Sequence, residues 1–243
     1  KRDLATVGKH SGLLFSWNTV GSLTGSLVGG IGFYYLLNNG GVFLAAAFLA
    51  AASACLAGRF VSRKHLVASG GLAAVFLVMV ILNPLYNEHN FMIGTFIAKS
   101  PRPYSLAGPG AFFEHFTSGL TLRFYEDGPD ASVAVLESTR KSGKALSVIV
   151  NGKSDSSTAM DAETLKLSAH IPALLARKHD SALVIGLGTG VTAGELTLYP
   201  DIKKIDVAEI SPTVVKALPL FAKATHDVQK DPRVRIHVGD AFR

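Results

Sequence analysis

The residues best suited to chemistry stand near the end of the sequence. A short apolar run at 182–185 leads directly into Gly186-Leu187-Gly188-Thr189-Gly190, and residues 191–198 then carry a helical pattern. A strand, a glycine turn and a helix in that order present backbone N–H groups and a helix N-terminus to a ligand. The glycine spacing discriminates among ligands. A dinucleotide fingerprint needs G-x-G-x-x-G, but position 191 is Val and the third glycine falls one residue early, at Gly190. G-x-G-x-G is instead the spacing of nucleoside sites of the S-adenosylmethionine type.

Two carboxylates follow at corresponding places. Glu209 closes a second strand, expected over 204–208, and Asp240-Ala241 follows a third, expected over 233–238. A carboxylate at the end of the second strand can accept hydrogen bonds from ribose hydroxyls. An acid after the third can accept from an adenine amino group, while the small Ala241 lets the ring approach. Gly186, Gly188, Thr189, Gly190, Glu209, Asp240 and Ala241 are therefore the expected contacts of an adenosine-containing sulfonium. His170, His226 and His237 have no metal-ligand spacing, so no metal site is expected.

These residues need a parallel half-sheet to hold them, and the sequence supplies its parts. A helix expected over 212–224 joins the second strand to the third. Upstream, residues 120–126, 132–138 and 145–151 are rich in Val, Leu, Ile and aromatics. Asp127-Gly128-Pro129 and Lys141-Ser142-Gly143-Lys144 separate them, which reads as a small antiparallel meander closed by Asn151-Gly152. A helix over 162–175, opened at Met160-Asp161, connects the meander to the half-sheet. The half-sheet stops after three strands and would leave an open edge. The expectation is a Rossmann-like domain incomplete at the C-terminus, completed by a further ~80–100 residues or covered by a partner.

The remainder of the chain is of another kind. Of 243 residues only 17% are charged, against about 25% in soluble proteins. Eight of the charged residues lie in 1–98, and none lies between Ser11 and Gly58 or between His65 and Asn87. That excludes a single soluble globule and predicts three transmembrane α-helices over about 13–37, 42–57 and 66–82. Gly21, Gly25 and Gly29 set a small-residue stripe on the first, suited to close helix packing against the Ala-rich second span or another membrane subunit. Trp17 and Asn18 read as an interfacial anchor and an interhelical hydrogen bond. The expected organisation is a membrane domain over 1–83, a Pro-rich linker over 84–119 (Pro84, Pro101, Pro103, Pro109), a small β domain over 120–152 and the nucleoside-binding half-domain over 153–243.

Charge and cysteine usage narrow the partners. The net charge of +6 comes mainly from the first 98 residues, which carry six Lys/Arg against two Asp/Glu. No basic stripe interleaves with aromatics, so nucleic acid is not an expected partner. The single cysteine, Cys55, excludes an internal disulfide. The expected surroundings are a lipid bilayer, crossed several times, with a homo-oligomer or the subunits of a membrane complex as partners. Lys1, Arg2 and Lys9, then Arg59, Arg63 and Lys64, place the N-terminus and the second loop in the cytoplasm. Three crossings would then put the soluble part outside, where an adenosyl sulfonium is not found. One crossing fewer would put it inside.

Several of these motifs together resemble the spermidine/spermine synthase (polyamine aminopropyltransferase) family, in its bacterial form fused to a membrane domain. They are Asp127-Gly128 before a Val-rich strand, Val150-Asn151-Gly152-Lys153, Asp161, His170-Ile171-Pro172, the glycine turn, Glu209-Ile210-Ser211-Pro212 and Gly239-Asp240-Ala241. The resemblance covers 120–243. It implies aminopropyl transfer from decarboxylated S-adenosylmethionine to a diamine such as putrescine, releasing methylthioadenosine, and adds Asp161 and His170 as substrate-binding residues. The chain also departs from the family pattern. Thr189 stands where the glycine turn usually has Asp, and Thr164 and Lys166 stand where a polyamine-contacting Tyr and Glu are expected. The family's catalytic Asp would follow a fourth strand, beyond Arg243. Two other readings stay open: a methyltransferase using S-adenosylmethionine itself, and a catalytically silent subunit that keeps the fold for assembly.

Overall fold

The computed structural model describes residues 4–82, 87–94, 106–128, 130–140, 143–178 and 180–242. The chain divides into two compact units, Lys1–Pro84 and Leu85–Arg243.

The first unit is helical: α1 (Leu4–Gly30), a 3-10 turn (Gly32–Tyr35), α2 (Asn39–Val61) and α3 (Arg63–Ile81). Asn38 opens α2 by accepting from the Gly41 N–H at 2.8 Å, which satisfies one of the unpaired amides of its first turn. Ser62 alone separates α2 from α3. The two helices meet closely at Gly58, where a Cβ would lie 2.4 Å from Ser69 Oγ and 3.0 Å from the His65 carbonyl.

Helices occupy all three expected apolar stretches, with two corrections. Among the described residues only α2 and α3 are long and apolar enough to cross a membrane. α1 falls short because Ser, Thr and Gly dilute its apolar residues, and it ends at Gly30 rather than near Leu37. Four of its hydroxyls are satisfied within the helix: Ser16, Thr19, Thr24 and Ser26 each donate to the carbonyl four residues earlier, at 2.8–3.0 Å. The second correction concerns the glycine stripe. A Cβ at Gly21, Gly25 or Gly29 would meet nothing within 4 Å, so close helix packing inside the chain uses Gly58 instead.

The second unit begins with a short helix, α4 (Glu88–Phe91), followed after the undescribed stretch 95–105 by α5 (Pro109–Thr117). The antiparallel meander then runs β1 (Leu120–Asp127), β2 (Ser132–Arg140), β3 (Gly143–Val150) and β4 (Lys153–Ser157), hydrogen-bonded in that order. The fourth strand is an addition to the expected three. Its residues, Lys-Ser-Asp-Ser-Ser, have no apolar alternation, but Asn151 and Gly152 both take positive φ (48° and 80°), as a type I′ hairpin turn requires. The β domain therefore extends to Ser157.

The expected linker is partly built into this unit. Pro84, Pro101 and Pro103 lie outside the described residues, but Met92 is buried against Ala134, Leu136 and Ile149 on one face of the meander. The Gly94 N–H donates to the Gly152 carbonyl at 3.0 Å. The other face contributes Val133, Val135 and Val148 to the main core, with Ala169, Ile205, Val207, Val214 and Phe221.

After α6 (Ala162–Leu175), the chain forms a parallel sheet of β5 (Ser181–Ile185), β6 (Lys204–Glu209) and β7 (Val234–Val238), ordered β5-β6-β7. The connections are α7 (Val191–Leu196) and α8 (Pro212–Ala217), the latter continuing as a 3-10 turn (Leu218–Ala224) rather than the long helix expected, because Pro219 removes a backbone donor. Ala182, Val184, Ile205, Val207, Val234 and Ile236 face the core. Leu183 and Ile185, on the opposite face, are 64% and 65% exposed. On that face Asp206 accepts from or pairs with His237 at 2.9 Å. Among the described residues no helix covers it, although parallel sheets are ordinarily covered on both faces.

Candidate functional site

The glycine turn sits where β5 passes into α7. The Gly186 N–H donates to the Ala208 carbonyl and the Gly190 N–H to the Leu187 carbonyl, both at 2.8 Å. Gly190 caps α7 with φ +81°, and a Cβ there would stand 2.6 Å from Leu218 Cδ1. A residue with a side chain fits neither the backbone conformation nor the space.

Glu209 holds this turn from the end of β6. Its buried carboxylate accepts from the Leu187 N–H at 2.8 Å through Oε2 and from the Ser211 N–H at 2.9 Å through Oε1. Each carboxylate oxygen retains a second lone pair for a ligand hydroxyl. The carboxylate expected to read a ribose is thus also the one that orients the turn.

Thr189 plays a different part from the one expected. It is 1% exposed, its Oγ1 lies 2.9 Å from Ser156 Oγ, and its N–H donates to the same oxygen at 3.3 Å. It fastens the glycine turn to β4 and does not line the cavity.

The cavity has a volume of about 530 Å³ and opens between the glycine turn, the β6 end and the last hairpin of the meander. Gly186, Gly188 and Glu209 line it, together with Asn151, Asp155, Ser156 and Ser211. Among the described residues its charged lining is wholly acidic: Asp130, Asp155 and Glu209, with no Lys, Arg or His. Such a lining repels phosphates and attracts cations. Asp130, Asp155 and Ser211 were not expected from the sequence. The Asn-Gly turn after β3 is the signal that points to β4, and through β4 to Asp155 and Ser156.

The other expected site residues lie elsewhere. Asp240 is exposed after β7, where its Oδ1 accepts from the Phe242 N–H at 3.0 Å, and Ala241 is exposed beside it. Asp161 precedes α6 without making a side-chain cap. His170 faces away from the cavity: its Nε2 is 3.2 Å from the buried carboxylate of Glu195 and its Nδ1 is 2.8 Å from Tyr199 Oη. His226 Nε2 and Lys166 Nζ approach the same carboxylate at 3.5 and 3.8 Å. Lys166 therefore does not oppose a cationic ligand in the cavity. It belongs to an ionic cluster joining α6, α7 and the turn at His226. Among the described residues no cluster of His, Cys, Asp and Glu can hold a metal ion.

Arg233 ties the start of β7 to the connection between α7 and β6. Its guanidinium donates to the carbonyls of Thr197, Tyr199 and Ile202 at 2.6–2.9 Å and to both oxygens of Asp231. Hydrogen bonding to Arg233 holds the Asp231 carboxyl below its usual range.

A glycine turn between a parallel strand and a helix, tied to a carboxylate at the next strand end and opening on an acidic cavity, makes this Rossmann-like parallel sheet a candidate nucleoside site. Residues 163–243 match the model of the spermine/spermidine synthase domain. It is similar to the polyamine aminopropyltransferase of Alkaliphilus oremlandii, with 39% identity over 74 residues, 30% of this chain and 26% of the relative. A polyamine aminopropyltransferase of Leptospira biflexa is 35% identical over 78 residues, 32% of this chain and 28% of the relative. The matched part thus spans about a quarter of the length of these relatives. Among solved structures, spermidine synthase from Thermotoga maritima superposes with a TM-score of 0.44 at 20% identity, covering 49% of this chain and 41% of that one.

Proposed function

We propose that the chain is a membrane-attached, spermidine synthase-like protein. In this reading it binds decarboxylated S-adenosylmethionine and transfers the aminopropyl group to an amine of a diamine or polyamine. The acceptor nitrogen attacks the carbon next to the sulfonium and the carbon–sulfur bond breaks. Its electron pair stays on sulfur, giving neutral methylthioadenosine, and the new secondary ammonium loses its extra proton to a base.

The observation that carries this reading is the acidic cavity on the glycine turn, whose charged lining is Asp130, Asp155 and Glu209. A dinucleotide or nucleotide would bring phosphates into it, whereas an adenosyl sulfonium with an ammonium arm brings positive charge. The family match of residues 163–243 supports the same conclusion. In the test, purified full-length chain is incubated with the decarboxylated donor and putrescine, and methylthioadenosine is measured. Release supports transfer. If neither methylthioadenosine nor the donor raises the melting temperature, the nucleoside reading is wrong.

One observation favours a second reading, a nucleoside-binding subunit without transfer activity. At position 189 a buried Thr fastened to Ser156 replaces the carboxylate that the family resemblance leads one to expect. Binding without release of methylthioadenosine would select this reading.

Attachment to a bacterial cell membrane is supported by α2 and α3, which are long, apolar and largely unburied. The basic residues nearest these two helices, Arg59, Arg63 and Lys64, border the loop between them and favour that loop on the cytoplasmic side. An adenosyl sulfonium is a cytoplasmic metabolite, and on that ground, against the charge bias, we assign the soluble unit to the cytoplasm. Protection of this unit from protease added to spheroplasts would support the assignment; digestion would refute it.

A further inference from the structure

The last hairpin of the meander contains an irregularity beside the cavity. In the β3–β4 ladder Val148 pairs with Ser156 and Ile149 with Ser154, so Asp155 is an extra residue with no partner across the ladder. A bulge of this kind takes one side chain out of strict alternation and re-aims it, and bulges concentrate beside binding sites. This one is held on both sides, by the Ser154–Ile149 pairing and by the contact of Ser156 with Thr189. Asp155 lines the cavity.

A second feature of the same cavity points to a polar ligand. Ser211 lines it, and the Ser211 Oγ is buried without a hydrogen-bond partner among the described residues. A buried hydroxyl left unpaired is unfavourable, and a bound polar group relieves it. The acids at the cavity are not equivalent toward such a ligand. Both oxygens of Glu209 already accept backbone amides, which suits them to neutral hydroxyls. Among the described residues Asp155 has only a 3.5 Å ion pair with Lys153, and the two side chains are 42% and 64% exposed. Such a pair is weak, and an incoming ammonium competes with it readily.

We propose that Asp155 is the specificity-determining residue for the cationic arm of the ligand. Its carboxylate pairs with a primary ammonium on an adenosyl sulfonium and so selects that ligand over a neutral nucleoside. This rests on the nucleoside reading above and goes beyond it by naming the residue that reads charge, at a strand position the glycine turn does not include.

The test measures binding of decarboxylated S-adenosylmethionine and of methylthioadenosine to the detergent-solubilised full chain by calorimetry. D155N is expected to weaken the cationic ligand about tenfold, as loss of a charge-assisted hydrogen bond does, and methylthioadenosine less than twofold. K153A removes the competing ammonium and is expected to tighten the cationic ligand by about two- to threefold, with methylthioadenosine unchanged. Retained methylthioadenosine affinity in D155N certifies its fold. If D155N weakens both ligands equally, or K153A leaves the ratio of their affinities unchanged, the assignment is overturned while the nucleoside reading stands. If the wild-type chain binds neither ligand, both fall together.

Discussion

Thr189 of the glycine turn and Ser156 of β4 form a buried hydroxyl pair 2.9 Å apart, joining the parallel half-sheet to the meander. The contact also decides what kind of site this is. The Thr189 side chain holds the two sheets together, and the cavity takes its charge from Asp130, Asp155 and Glu209 instead.

Removing Ser156 is expected to loosen this junction. S156A leaves the Thr189 N–H and Oγ1 buried without their partner and lowers stability by about 1–3 kcal/mol, read as a fall in the melting temperature of the soluble unit within the full chain. T189V, which keeps the shape but loses the hydroxyl, is expected to fall in the same range.

Glu209 is expected to act on stability and binding together. In E209Q an amide NH₂ replaces one oxygen, so one of the Leu187 and Ser211 amides faces a donor, at a cost of about 1–3 kcal/mol. Faster hydrogen exchange at one of those amides, with weaker methylthioadenosine binding, is the expected outcome. Unchanged exchange at both would contradict the role given to the carboxylate.

Two glycines of the turn should separate folding from binding. In G190A the new Cβ meets Leu218 Cδ1 at 2.6 Å and Thr225 Cγ2 at 3.2 Å with φ at +81°. The expected loss is about 2–4 kcal/mol, seen by denaturant unfolding. In G186A the Cβ meets nothing within 4 Å, so only the +86° backbone is strained, by about 1 kcal/mol. Gly186 lines the cavity, however, so G186A is expected to fold and to bind methylthioadenosine poorly.

Asp231 gives the expected acid dependence. Arg233 holds its folded-state carboxyl below the usual value, so its contribution is complete above the unfolded value of about 3.9 and is lost as pH falls through the lower folded value. The stability difference between wild type and D231N is therefore expected to be constant near neutrality and to shrink below about pH 4. R233M strands the carbonyls of Thr197, Tyr199 and Ile202 and is expected to be worse than D231N, by roughly 2–3 kcal/mol at neutral pH.

Much of this was legible along the chain. The α6 helix has the bounds expected of it, and the glycine turn lies between a strand and a helix as read. β1, β2 and β3 alternate or run apolar because both faces of the meander are covered, which puts a strong signal into the residues themselves. β4 carries no such signal. It is a polar edge strand, placed by the turn before it and by the partner beside it, and Lys-Ser-Asp-Ser-Ser without that context reads as loop. The strap at Met92 was hidden for a related reason: its neighbours Ala134, Leu136 and Ile149 are more than forty positions away, so no local pattern announces the contact.

What the residue order determines by itself is whatever depends on near neighbours. That includes the apolar helices of the first unit, the strand–turn–helix at Gly186, and the carboxylate at the end of the next strand. What depended on the tertiary structure is the direction of each polar side chain, because that follows from partners distant in sequence. Thr189 turns to Ser156, thirty-three residues away, and His170 and Lys166 turn to Glu195 rather than to the cavity. Only folding brings Asp155, Asp130 and Glu209 onto one surface, where their charges add.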